Sequence, residues 1–85
     1  MVKLGKYMTA DAVGLEPEAY IVRSSNGDPI GLIEWYARWR QYAMTPEPET
    51  VFSADCLRDL AGFCERLNRE QLKAETDRRV LGHEP

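Results

Sequence analysis

The dipeptide Asn26-Gly27 constrains this chain more than any other feature. It sits between two runs rich in branched and aromatic side chains, "YIVRS" (20–24) and "IGLIEWY" (30–36). Both central residues of a type I′ turn need positive φ, and Asn-Gly meets that demand at low steric cost. The two runs therefore read as the strands of a hairpin. Pro29 starts the second strand, where its missing N–H costs least. Ala37-Arg38 is read as the next two-residue turn, although neither residue favours positive φ. "WRQYAM" (39–44) is then a third strand, ended by the stiff "TPEPE".

A helix follows. Ser53 is the expected N-cap, Asp55 falls near the positive end of the helix dipole, and Phe52 and Leu57 have the spacing of a hydrophobic staple. The apolar stripe runs Leu57, Leu60, Ala61, Cys64 and Leu67, with Phe63 beside it. Arg58, Asp59, Glu65, Arg66, Arg69, Glu70 and Lys73 occupy the other face. Glu65–Arg69 and Glu75–Arg79 are spaced for i,i+4 pairs. The helix is expected to fray over about 72–79, with Gly82 ending any helix left. The predicted fold class is α+β: a three-stranded antiparallel β-meander packed against one long C-terminal α-helix. Residues 1–19 are weakly patterned and are read as an N-terminal arm, with an edge strand around Val2–Tyr7 as the alternative. Residues 20–79 form a single domain and 80–85 a tail.

Side chains alternate faces along a strand. With Ala37-Arg38 as the turn, Tyr36 pairs with Trp39 and Trp35 with Arg40. One face then carries Tyr20, Val22, Ile33, Trp35, Arg40, Tyr42 and Met44. This is the more apolar face and is assigned to the helix, with Trp35 as a core anchor and Arg40 at its edge. The other face carries Ile21, Arg23, Leu32, Glu34, Tyr36, Trp39, Gln41 and Ala43. An aromatic pair beside arginine on an uncovered face has the composition of a binding hot spot. Tyr36, Arg38, Trp39, Arg23 and Arg40 are the candidate binding residues. The alternative is a second small core under the N-terminal arm, with Arg38 stacked on a ring.

Bulk properties narrow the function. Eighty-five residues give a thin core, so self-association is an expectation. The net charge of -3 argues against general or sequence-specific nucleic-acid binding. The aromatic segment is the least acidic part of the chain. No run has the length of a signal peptide or membrane span, which points to an intracellular protein. Cys56 and Cys64 lie about 12 Å apart on one helix, too far to pair, and read as buried free thiols. A lone His83 near the end is a poor general base, and no phosphate loop, metal spacing or nucleotide motif is present. No catalytic residue, metal or cofactor is assigned, and the chain is read as a non-enzyme.

The segment "GLIEWYARWRQYAMTPEPETVFSADCLRDLAGFCERLN" (31–68) resembles a family of small, mostly uncharacterised bacteriophage and prophage proteins. The likeness rests on Gly31, Ile33, Trp35, Tyr36, Trp39, Arg40, Tyr42, Pro46, Phe52, Cys56, Leu57 and Phe63. It covers under half of the chain and carries no catalytic residues. It implies a phage accessory protein in the host cytoplasm. The leading expectation is non-enzymatic inhibition of a host defence protein, of the anti-CRISPR or another anti-defence type. The contact is the aromatic hairpin or the acidic helix. A homodimer is a further expectation. The alternatives are an oligomeric sponge for a small nucleotide signal, and a structural module of the phage.

Overall fold

The structure is a computed structural model that describes residues 1–82, with side chains through Asp77. The chain is α+β, as the patterning predicts, but the sheet has five strands rather than three. In chain order they are β1 (Val2–Leu4), β2 (Met8–Ala12), β3 (Tyr20–Ser24), β4 (Pro29–Tyr36) and β5 (Gln41–Pro46), followed by α1 (Ala54–Gly82). All neighbours are antiparallel and the spatial order is the sequence order, a simple meander. The two additional strands come from the segment read as an arm.

Why these strands form is clear locally. Gly5 turns the chain between β1 and β2 with φ of 64°, and Gly27 sits at φ 93° in the turn the sequence marks. The β3–β4 register shifts between Val22 and Arg23, so this hairpin carries a bulge beside its turn. The next turn differs from expectation. Tyr36 pairs with Gln41 and Trp35 with Tyr42, so the loop is the four residues 37–40, not Ala37-Arg38 alone. Its N–H groups close internally, Trp39 N to Tyr36 O at 3.1 Å and Arg40 N to Ala37 O at 3.2 Å. Arg40 takes the left-handed conformation (φ 54°) needed to rejoin the strand. A slip of two residues is even, so every side chain that remains in a strand keeps its predicted face, while Trp39 and Arg40 move into the turn.

The core lies between the sheet and α1. Leu4, Met8, Ala10, Val22, Ile33 and Tyr42 from the sheet meet Leu60, Phe63 and Leu67 from the helix. Trp35 is half-buried rather than the core anchor. It stands edge-to-face on Tyr42, ring centroids 5.6 Å apart, and Tyr42 takes the interior place. The helix stripe is rotated as well. Leu57 is 54% exposed and Ala61 is exposed, whereas Phe63 is buried. The wider sheet adds Leu4, Met8 and Ala10 of β1 and β2 to the core that Leu60, Phe63 and Leu67 complete. Cys56 and Cys64 are free, half-buried thiols at the margin of the core rather than inside it.

Ser53 caps α1, its Oγ accepting from Cys56 N at 3.2 Å; Phe52 packs against the core, whereas its expected staple partner Leu57 is exposed. The helix continues to Gly82, past the expected fraying zone; the expected tail lies outside the described residues from His83 on. Among the described residues its i,i+3 and i,i+4 ion pairs are Arg58–Asp55 at 2.8 Å and Arg66–Glu70 at 3.8 Å; the expected Glu65–Arg69 pair is not among them, and the expected Glu75–Arg79 pair lies outside the described side chains. Twenty-nine helical residues span about 43 Å, and the longest strand, eight residues, about 27 Å. The helix therefore overhangs the sheet, and the molecule is elongated, 52 × 23 × 23 Å. No helix is long and apolar enough to cross a membrane.

Candidate functional site

One end of the sheet gathers the β2–β3 connection (13–19) and the β4–β5 turn (37–40), because a meander returns to the same end every second turn. Tyr42 ties the two loops together: its hydroxyl donates to Glu18 O at 2.8 Å. Gly14 N donates to Glu18 Oε1 at 3.2 Å and Val13 N to Ala19 O at 3.0 Å, which closes the first loop on itself.

On this end Tyr36 and Trp39 form an edge-to-face pair, centroids 4.7 Å apart and planes at 74°. Trp39 lies in the turn, not across a strand, and folds back onto Tyr36. The two rings remain 61% and 39% exposed. Val13 and Leu15 in the neighbouring loop are exposed as well, at 40% and 57%. Four large apolar side chains are thus exposed in the two loops at one end of the sheet. No helix covers this side of the sheet. Such a patch is costly to leave in water unless something covers it.

The five sequence-predicted residues do not all meet here. Tyr36, Trp39 and the exposed Arg38 share the turn. Arg40 points to the helix side instead, where it pairs with Glu75 at 3.2 Å. Arg23 is at the far end of the sheet, level with Pro29, seven residues and about 23 Å along β4 from Tyr36. It is held there by Asp11 at 3.1 Å and by Gly27 O at 3.1 Å. Patterning assigned the correct face to Arg23 but not its position along the strand. Val13 and Leu15 were missed, since isolated apolar residues in a Gly- and Pro-containing loop carry no periodic signal. The cation–π contact lies elsewhere than Arg38: Arg66 covers Phe63 at 5.1 Å.

The edge-to-face rings present one face and one edge each, not a parallel slot. Each of four surface grooves borders the helix or the loop leading into it, away from this end. Among the described residues no three His, Cys, Asp or Glu side chains are placed to hold a metal ion. Burial raises the pKa of Tyr42, Tyr20 and Cys64, which keeps these groups neutral and weakly nucleophilic.

Fold and site together define a two-layer α+β domain, a five-stranded meander under one long helix, with exposed aromatic and aliphatic side chains at one end. No family model, no curated protein and no solved structure matches the chain.

Proposed function

We propose that this chain is a non-enzymatic binding protein whose contact is the apolar end formed by Tyr36, Arg38 and Trp39, extended by Val13 and Leu15. The observation that carries the reading is the exposed Tyr36–Trp39 pair on a side of the sheet without a covering layer. Tyr, Trp and Arg dominate binding energy where they occur in interfaces, because each combines a large apolar area with a polar handle. The resemblance of residues 31–68 to phage and prophage proteins extends the reading. The partner is then a host protein in the host cytoplasm, and the effect is inhibition of a defence system.

The test is a paired measurement on Tyr36→Ala/Trp39→Ala. Neither ring belongs to the helix-facing core, so the variant keeps its melting temperature to within a few degrees. Truncating two anchors lowers affinity by at least about 10²-fold. Tagged wild type captures a host protein from a lysate, and the double variant loses that same protein. Arg69→Ala/Lys73→Ala on the exposed helix face is the control and retains it. A double variant that folds and captures normally moves the contact to the helix. One that unfolds identifies the rings as structural.

A further inference from the structure

The outer edge of β5 carries a second feature, independent of the contact end. In an antiparallel ladder successive residues point their N–H groups alternately toward and away from the neighbouring strand. Glu47 N donates inward to Ile30 O at 3.0 Å, and residues 47 and 30 follow the β4–β5 register. Gln41, Ala43 and Thr45 therefore face β4, whereas Tyr42, Met44 and Pro46 present their backbone outward. An open edge of this kind is a template for another strand.

Two of these three outward positions are closed. Tyr42 N donates to Asn68 Oδ1 of α1 at 2.6 Å, in a partly buried setting. Pro46 has no N–H. Met44 alone keeps a free donor. Asn68 is the only polar side chain of α1 seen bonding to a strand backbone among the described residues.

We infer that Asn68 guards the β5 edge, and that the pairing it blocks is with a second copy of this chain. The outward donors and acceptors of β5 are self-complementary, which favours that partner. Two β5 strands running antiparallel about a two-fold axis at Met44 bond reciprocally through Met44 N–H and C=O. The next bonds outward are Tyr42 N–H to Pro46 C=O of the other copy, once on each side. These two are the bonds that Asn68 withholds. With Asn68 in place only the central pair can form, and with Asn68 removed the ladder doubles to four bonds. The same approach lays the groove of about 330 Å³ beside β5, walled by Met44, Leu57, Ala61 and Cys64, against the other copy. Exposed Leu57 on that wall then gains apolar cover.

The experiment compares wild type, Asn68→Ala and Asn68→Asp by light scattering over a dilution series, with circular dichroism as the folding check. Wild type and Asn68→Asp, which keeps the accepting oxygen, stay at the monomer mass. Asn68→Ala doubles its mass with rising concentration. Adding Met44→Pro to Asn68→Ala removes the central donors without touching the β4 ladder and returns the monomer. A wild type that is already dimeric through β5 overturns the inference. So does a folded Asn68→Ala that stays monomeric, or a dimer that survives Met44→Pro. Amide exchange in unmodified protein keeps the idea testable if Asn68→Ala fails to fold. The Tyr42 amide exchanges at least tenfold more slowly than the Met44 amide; equal rates remove the guard.

Discussion

Tyr42 carries more of the structure than its exposed relatives Tyr36 and Trp39 do of the surface. Its ring fills the core beside Trp35, its hydroxyl holds the β2–β3 loop through Glu18 O, and its amide is bound by Asn68. Sequence patterning placed it on the correct face but named Trp35 as the anchor, since the larger apolar ring is the natural choice. Burial follows position rather than size. Trp35 lies near the sheet end, while Ile33, two residues earlier, is fully enclosed at 0% exposure between Tyr20 and Met44. This ordering is testable. Ile33→Ala leaves a cavity in a site with little freedom to collapse and costs about 2–5 kcal/mol. In a domain of this size each kcal/mol lowers the melting temperature by about 4–8 °C, so the loss is at least about 8 °C. Trp35→Ala, which opens a half-exposed place, costs less than Ile33→Ala. Thermal melts of the two variants decide it: a larger loss at Trp35 returns it to the role of anchor.

The elements read from sequence were those with strong local chemistry. Asn26-Gly27 marked one hairpin, and Ser53 marked the start of α1. The Tyr36–Trp39–Arg38 cluster was legible as well, because an even slip of register left the faces intact. What was not legible had weak local signals. β1 is three residues long, and β2 is "MTADA", in which only Met8 and Ala10 are buried and alanine has low strand propensity. Alanine is nevertheless the residue that lets α1 approach, and Ala10 is 0% exposed. These strands are structural rather than an appendage. Removing residues 1–12 strips Leu4, Met8 and Ala10 from beneath Phe63, and the remainder is expected to lose its cooperative melt and near-ultraviolet dichroism. A truncated chain that melts as wild type does would restore the arm.

At the scale of the whole molecule, one helix covers one sheet face, and the thin interior relies on acidic groups held neutral. Tyr42 is pushed above its ordinary value of 10.0 by burial first, then by the neighbouring Tyr20 and glutamates. Tyr20 is raised by burial, then by Glu18 and Glu70, with Arg66 opposing; its ring stands edge-to-face on Phe63 at 5.1 Å. Cys64 is raised above 9.0 by burial and then by Glu65. For each group the folded chain favours the protonated form more than the unfolded chain does. The resulting stability is complete below the ordinary values, and it is lost as pH rises through the raised ones. The melting temperature is therefore expected to hold steady from about pH 7 to 8 and to fall above about pH 9, where the unfolded thiol and phenols begin to ionise. Tyr42→Phe separates the contributions. It removes the bond to Glu18 O, so it lowers stability at neutral pH by about 0.5–1.5 kcal/mol. It also removes one of the three titrating groups, so its decline above about pH 10 is shallower than that of wild type. Melting curves of both proteins at one-unit steps from about pH 7 to 11 make the comparison. Parallel declines would show that the Tyr42 phenol ionises alike in the folded and unfolded chains. The alkaline loss would then belong to Tyr20 and Cys64.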